Sequence, residues 1–228
     1  MKIIACIQAR LGSTRLPGKV LKKINGMPLL QHVYRRLLGC KEISEVVVAP
    51  GISGYNEIND FCVNHGLNIR NSWSENDNDL LFRFASLWRV CPFDAFLRVR
   101  ADCLFIDPAL MDHLVSSFKF NYPRSHAVSN WPRRLYSEGL DAEVWSAELL
   151  MAMHRTKECP REDFATWAID NNKVVVGMQN PINEGLPHLS IDAQQDFDRA
   201  EKMLKILGND EWSYEKTLEA YRSVMAEE

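Results

Sequence analysis

Three basic side chains lie within ten residues of one another, directly after the first apolar segment of the chain. Residues 3–21, IIACIQARLGSTRLPGKVL, pass from that segment into Arg10, Arg15 and Lys19. The Gly-Ser-Thr and Pro-Gly sequences predict a turn-rich loop whose N–H groups can point towards an anion. Arginine offers a planar fork to phosphate oxygens and lysine a point charge, so we expect an exposed site for a phosphorylated ligand. The alternative is a surface loop whose cations pair with carboxylates elsewhere.

A sheet edge is expected to position this loop. The segments KIIACIQA, ISEVVVAP, DAFLRV and HAVSN read as buried strands, and helix-like segments separate them. This alternation predicts an α/β protein with a doubly wound, parallel sheet. Ligands bind such sheets beyond the carboxyl ends of the strands, which is where the loop lies. The loop matches neither GxxxxGK[ST] nor GxGxxG.

Further elements follow from the same patterns. We predict short strands at LNIRN, KVVVGM and the end of HLSID, and a strand in the segment WPRRLYSEGLDAEVWS. Helices are predicted within residues 27–40, 55–65, 79–90, 109–118, 160–172, 194–207 and 214–225.

Composition limits the possible classes of protein. The chain has 228 residues, is 46% hydrophobic and carries a formal net charge of −3. We therefore expect one domain over 1–228, with 131–180 as an irregular insertion that forms a substrate pocket or an oligomer contact. The charge disfavours a nucleic-acid partner, and no apolar run is long enough for a membrane span. Six scattered cysteines read as reduced thiols, which predicts a cytoplasmic protein.

Two aspartates follow predicted strands at the expected ligand-binding edge. Asp102 follows DAFLRV, and Asp192 follows HLSI. Either residue could instead cap a helix or form a turn, because aspartate is common where a strand leads into a helix. We assign that structural role to Asp107, which precedes Pro108, and to Asp196 in the first turn of a helix.

The loop closely resembles the nucleotide-binding signature of the cytidylyltransferases. That group activates ulosonic and sialic acids and includes the spore-coat polysaccharide type. The string QARLGSTRLPGKVL carries the likeness. Later segments match the spore-coat type in order: LLFRF (80–84), RVRADCLFIDP (98–108), GLDAEVWS (139–146), PRED (160–163) and LSIDAQQDFDRAEKM (189–203).

The resemblance implies a three-layer Rossmann-like nucleotide-diphospho-sugar transferase fold, mostly parallel, with an inserted strand-containing arm. It implies Mg²⁺ held by Asp102 and Asp192, and a homodimer that pairs through 131–180. Asp102 and the three cations are then catalytic. The nucleotide-binding residues it implies are Ala9, Arg10, Leu11, Gly12, Ser13, Arg15 and Lys19.

Five residues are candidates for binding the acceptor: Arg100, Asp141, Glu143, Arg161 and Glu162. Asp141 and Glu143 alternate with apolar residues and so should face the same side of a strand, where the family places its acceptor pocket. An exposed strand face, or an ordinary surface pair at 161–162, is the alternative. The chain departs from the family pattern at Arg100 and Ala101, which replace a small residue and glycine, and at Asp163, which replaces histidine.

The expected activity is transfer of CMP from CTP to a sugar or sugar acid, with release of pyrophosphate. One alternative is a guanylyl- or uridylyltransferase that acts on a sugar 1-phosphate. A second is a non-catalytic nucleotide-binding subunit.

Overall fold

The computed structural model describes residues 1–72, 74–130, 136–171, 175–177, 187–208 and 212–227. The strands are β1 (Ile3–Ala9), β2 (Lys23–Ile24), β3 (Met27–Pro28), β4 (Glu45–Pro50), β5 (Ala95–Arg100), β6 (Ala127–Ser129), β7 (Ala142–Ser146) and β8 (Val175–Gly177). The helices are α1 (Leu29–Leu37), α2 (Tyr55–Asn64), α3 (Leu80–Val90), α4 (Pro108–Asn121), α5 (Ala147–Arg155), α6 (Phe164–Asp170), α7 (Gln194–Leu207) and α8 (Tyr214–Met225). None of these helices is long and apolar enough to span a bilayer.

Six strands form one mixed sheet in the order β4-β1-β5-β7-β6-β8. Strand β1 pairs in parallel with β4 and β5, and β6 pairs in parallel with β8, whereas β7 runs antiparallel to β5 and β6. The mostly parallel sheet is confirmed. Strand β7 runs antiparallel to its neighbours; an apolar run identifies a buried strand but does not give its direction.

Alternating side chains of β1 face two separate hydrophobic layers of the interior. Ile3, Ala5 and Ile7 face one cluster, which includes side chains of α1, α2 and α4. Ile4 and Cys6 face the other, which includes side chains of α3, α5 and α6. Helices therefore cover both faces of the sheet. A third cluster joins α7 and α8 to Leu16, Ile24 and Leu29 and to the segment after β5.

The middle of the chain adds to the main sheet. Within 131–180, the described residues form β7, α5, α6 and β8. Helix α5 was not predicted; Ser146 begins it by accepting a hydrogen bond from the Leu149 N–H at 3.1 Å. The predicted strand KVVVGM is observed as β8, and its flanking residues lie outside the described part of the chain.

Two predicted strands are wrong. LNIRN forms only a single bridge, between Ile69 and Val48. HLSID forms no strand; instead Leu189 N–H donates to the Glu138 carbonyl at 2.7 Å, and Ile191 N–H donates to the Asp102 carbonyl at 3.1 Å. These isolated bonds satisfy the backbone polar groups without a continuous ladder.

Asp107 joins two distant parts of the fold. Its Oδ1 accepts from the N–H groups of Ala109 at 2.8 Å and Leu110 at 3.3 Å, which confirms that it caps α4. Its Oδ2 accepts from the buried N–H of Tyr214 at 2.7 Å, the first residue of α8. The one carboxylate therefore fixes the positions of both helices.

Replacing Asp107 by alanine is expected to lower the free energy of unfolding by about 2–4 kcal/mol, since a helix cap is lost and a buried N–H is left without its acceptor. Chemical denaturation measures this loss. Ser213→Ala is the matched control, because Ser213 caps only α8, with a 3.4 Å bond from the Lys216 N–H. It should cost about 1 kcal/mol. Equal losses in the two variants would contradict the double role of Asp107.

Candidate active site

The loop after β1 is fixed by its own backbone and by the loop after β4. Ser13 and Gly18 donate their N–H groups to the Leu11 carbonyl at 2.8 and 3.1 Å. Gly18 has φ = +68°, a left-handed conformation that glycine adopts without a steric cost, and it leads into a 3₁₀ turn over Lys19–Leu21. This turn directs the Lys19 side chain inward.

Lys19 lies between the two candidate metal-binding aspartates. Its Nζ donates to Asp102 Oδ2 at 2.7 Å, to the Ile191 carbonyl at 2.7 Å and to Asp192 Oδ1 at 3.0 Å. The side chain of Lys19 is only 9% exposed, so the expectation that it is exposed is wrong. Its ammonium is buried because three oxygens from distant parts of the chain surround it and balance its charge.

Asp192 is held in its ionised form by cations. Burial opposes ionisation, but the hydrogen bond and charge of Lys19, with the charges of Arg15 and Arg100, lower the pKa of Asp192 below its ordinary value of 3.8. Arg15 is 67% exposed, and its Nη2 lies 3.0 Å from Asp192 Oδ1. The structure thus brings Arg15, Lys19, Asp102 and Asp192 together at one sheet edge.

Arg100 extends this cluster towards β7. Its Nε lies 3.4 Å from Asp102 Oδ1, and its Nη2 lies 3.4 Å from Asp141 Oδ2. The Arg100 side chain is 35% exposed, so it is accessible to a ligand. The predicted acceptor residues Arg100 and Asp141 therefore lie beside Asp102.

Glu143 is buried and bonded within the sheet. Its carboxylate accepts from Arg98 Nη1 at 2.9 Å and from Trp145 Nε1 at 3.0 Å. Arg98 Nε also donates to Gln8 Oε1 at 3.1 Å. Glu143 thus holds Arg98 in place. Sequence reasoning missed Arg98, although a basic residue inside an apolar strand is a signal that its partner is buried as well.

His188 and Glu138, which sequence reasoning also missed, form a pair next to Asp192. His188 Nε2 lies 3.6 Å from Asp192 Oδ2, and His188 Nδ1 lies 3.3 Å from Glu138 Oε2. Gly139 makes this approach possible: it has φ = +101°, and a Cβ there would collide with the backbone of Leu189 and Ser190. Neither His188 nor Glu138 belongs to a recognisable metal-ligand spacing, so no local signal selects them.

A cavity of about 440 Å³ lies beside the loop on the β4 side. Its lining includes Gly51, Ile52, Tyr55, Asn71 and Ser72. The Gly51 N–H donates to the Ala9 carbonyl at 2.8 Å, and the Leu11 N–H donates to the Ser53 carbonyl at 3.1 Å. Gly51, which lines the cavity, is therefore hydrogen-bonded to Ala9, one of the residues predicted to bind a nucleotide. The volume of the cavity suits a small ligand.

Comparison with known proteins identifies the family. A family model described as cytidylyltransferase matches residues 4–224. The chain belongs to the cytidylyltransferase family.

Three proteins illustrate the relationship. The 3-deoxy-manno-octulosonate cytidylyltransferase of Trichlorobacter lovleyi is 33% identical over 122 residues, which cover 53% of this chain and 46% of that relative, less than half of its length. The spore coat polysaccharide biosynthesis protein SpsF of Bacillus subtilis is 26% identical over 218 residues, covering 90% of this chain and 88% of SpsF. A solved cytidylyltransferase from Leptospira borgpetersenii superposes with a TM-score of 0.90 at 25% identity, covering 99% and 96% of the two chains.

These findings confirm the resemblance, the fold class and an enzyme of the nucleotidyltransferase class. Family membership disfavours the non-catalytic alternative and a guanylyl- or uridylyltransferase.

Three predicted site residues make their contacts away from Lys19, Asp102 and Asp192. Arg10 Nη1 donates to Asn78 Oδ1 at 2.7 Å. Arg161 lies near the start of α3, with its Nη1 3.2 Å from His154 Nδ1 and its carbonyl accepting from the Leu81 N–H. Glu162 is exposed. We observe no contact of Arg161 or Glu162 with Asp102 or Asp192 in the described residues.

The six cysteines of the chain are all free thiols, as predicted. Burial raises the pKa of the Cys6, Cys40, Cys62 and Cys103 thiols to about 12. They therefore stay protonated at neutral pH. Cys103 in particular, although it follows Asp102, is unsuited to act as a nucleophile.

Proposed function

We propose that the chain transfers CMP from CTP to a sugar or sugar acid, releasing pyrophosphate. An acceptor oxygen would attack the α-phosphorus, and the bond from that phosphorus to the bridging oxygen of pyrophosphate would break. The observation that carries this proposal is the convergence of Arg15 and Lys19 with Asp102 and Asp192 at the carboxyl end of the sheet, in a chain of the cytidylyltransferase family.

The loop after β1 and the adjoining cavity would divide the nucleotide between them. The cavity would hold the cytosine base, with the side-chain amide of Asn71 available to its polar edge. Arg10 and Arg15 would hold the triphosphate, and the positive charge of Lys19, whose three N–H groups already bond Asp102, Ile191 and Asp192, would help to stabilise the charge that develops on pyrophosphate as it leaves. Backbone from Ala9 to Ser13 would approach the nucleotide between these two regions.

The two aspartates fit a magnesium ion. Mg²⁺ prefers one or two carboxylates together with phosphate oxygens and water. Asp102 and Asp192 each bond Lys19 through one oxygen, while Asp102 Oδ1 and Asp192 Oδ2 make longer contacts, at 3.4 Å to Arg100 and 3.6 Å to His188. No group of three or more histidine, cysteine or carboxylate ligands occurs in the described residues, so the phosphates would complete the coordination. Bound Mg²⁺ would supply charge neutralisation at the phosphates.

The acceptor would bind on the β7 side of Asp102. Arg100 is accessible there and lies within 3.4 Å of Asp141, so it can donate to acceptor oxygens while Asp141 accepts from hydroxyl groups. Glu143 would support this surface from below through Arg98. For Arg161 and Glu162, acceptor contact remains a prediction from the resemblance.

Thermal stabilisation by CTP, UTP, GTP and ATP, each with and without Mg²⁺, tests the proposed nucleotide. CTP at 100 times its dissociation constant should add about 2.7 kcal/mol to the stability of the folded chain, and Mg²⁺ should strengthen the response. Pyrophosphate release with a panel of acidic sugars then identifies the acceptor. A stronger response to another nucleotide would overturn the proposal, and so would the absence of a response to any of the four.

We also propose a homodimer that forms through residues 131–180, as the resemblance implies. Light scattering on the protein as it elutes from a size-exclusion column gives the mass of the assembly directly. A mass near twice the 26.2 kDa of one chain supports the dimer, and a single-chain mass at micromolar concentration contradicts it.

A further inference from the structure

Arg83 is a fully buried cation beneath the nucleotide loops. It is 0% exposed and lies on α3. Its Nη2 donates to the Asp77 carbonyl at 2.7 Å and lies 3.6 Å from Asp77 Oδ1, while Nε and Nη1 have no hydrogen-bond partner among the described residues. Burial lowers the pKa of Arg83 more than the charge of Asp77 raises it. Such a group is costly to bury, so a role beyond packing is expected of it.

Asp77 connects Arg83 to the loop after β4. Its Oδ1 accepts from the Ser53 N–H at 3.3 Å, and its Oδ2 accepts from the Ser53 hydroxyl. Gly51 packs against the same pair: a Cβ there would collide with Asp77 Oδ1 and would lie 2.9 Å from Arg83 Nη2. Arg83 and Asp77 thus fix the backbone of 51–53, which includes one wall of the cavity.

The segment 76–79, which we call the strap, also reaches the loop after β1. Arg10 Nη1 donates to Asn78 Oδ1 at 2.7 Å, one residue after Asp77. The loop after β4 bonds the end of β1 through Gly51 to Ala9, and it bonds the loop after β1 through Leu11 to Ser53. Three chain segments are therefore joined in one set of hydrogen bonds, and Arg83 lies beneath all of them.

We propose that Arg83 is a positioning residue for nucleotide binding, which acts through Asp77 and the strap on both the cavity and Arg10. Because Arg83 is buried, it does not touch the nucleotide. It sets the distance between the place where a base would bind and the cation that would hold the triphosphate. This inference rests on the proposed function, since it assumes that cavity and loop bind one nucleotide.

Calorimetric titration of the full chain with CTP tests this role. Arg83→Met is expected to weaken CTP binding about tenfold or more. Arg83→Lys should restore part of the affinity, because an ammonium can still donate to the Asp77 carbonyl. Arg36→Met is the matched control: Arg36, like Arg83, donates to backbone carbonyls, here those of Ile106 at 2.9 Å and Trp212 at 2.7 Å, but it lies away from these loops. It should lower the melting temperature and leave the CTP affinity within twofold.

A double-mutant cycle covers the case in which Arg83→Met fails to fold. Asp77→Asn and Asn78→Ala alter the strap without emptying the buried site. If the strap acts as one unit, the two losses of CTP affinity should be less than additive. Fully additive losses, or a folded Arg83→Met that binds CTP as tightly as the wild type, would overturn this inference alone. A wild-type chain that binds no nucleotide would overturn the proposed function and this inference together.

Discussion

Asp102→Asn is expected to reduce pyrophosphate release by about 10³-fold or more while the chain stays folded. Asparagine keeps the shape of the side chain and one oxygen but removes the negative charge from the centre of the cluster. Loss of one group that stabilises charge in a transition state costs about 10²–10³ in kcat, and here the candidate metal site is lost as well. Lys19 retains the Ile191 carbonyl and Asp192, so the fold should persist.

Pyrophosphate release at saturating CTP and acceptor measures this effect. Asp112→Asn is the matched control, because Asp112 accepts from the N–H groups of Lys41 and Glu42 at 2.9 Å, apart from the cluster. Its turnover should stay near that of the wild type. A kcat for Asp102→Asn within tenfold of the wild type would remove Asp102 from the catalytic machinery.

Lys19→Met is expected to impair both folding stability and turnover. Without the Lys19 ammonium, the negative charges of Asp102 and Asp192 lie close together with less positive charge to balance them. Removing one partner of a buried ion pair in this way costs about 3–5 kcal/mol. Turnover should fall by about 10²–10³-fold, because a group that neutralises charge at the phosphates is gone.

The pH dependence of stability in metal-free buffer gives a second readout. In the wild type the lowered pKa of Asp192 contributes stability above its ordinary pKa of 3.8, and that contribution is lost as the pH falls through the folded-state pKa. In Lys19→Met, Asp192 stays buried but loses the cation that most lowers its pKa, so that pKa should rise. The variant should then gain stability relative to the wild type on acidification.

Melting temperatures from neutral to acidic pH test this sign. Lys119→Met is the control, because Lys119 forms a 2.7 Å bridge with Glu42 in which both side chains are more than a third exposed. Such a pair contributes about 0–1 kcal/mol, so the control should follow the wild-type curve. A Lys19→Met curve parallel to that of the wild type would contradict the account of Asp192.

Local patterns were enough to predict the elements that carry the site. The run IIACIQA is buried along its length as β1, and the helices at 194–207 and 214–225 have the predicted bounds. Asp102 and Asp192 lie close together as expected, since both bond Lys19, but only Asp102 follows a strand; the Ile191 N–H holds the segment with Asp192 against the Asp102 carbonyl.

Pairings between distant residues were beyond prediction from one sequence. Nothing local indicates that Lys19 turns inward, since its partners lie 83 and 173 residues away. Arg98 and Glu143 each resemble an isolated charge until the antiparallel register of β5 and β7 places them opposite each other. The strand predicted at HLSID was wrong because its apolar residues pack under α7 and α8, outside the sheet.

The third apolar cluster has a consequence for how the chain is made. Leu16, in the loop after β1, and Leu29, at the start of α1, share that cluster with Trp212 and Val224. As the ribosome extends the chain, these side chains are made long before Trp212 and Val224, their partners in the cluster. Lys19 likewise meets Asp192 only after 173 further residues. We therefore expect a nascent chain to pair β1 with β4 and β5 first, and to bring Lys19, Asp102 and Asp192 together only after the segment that follows β8 has been made.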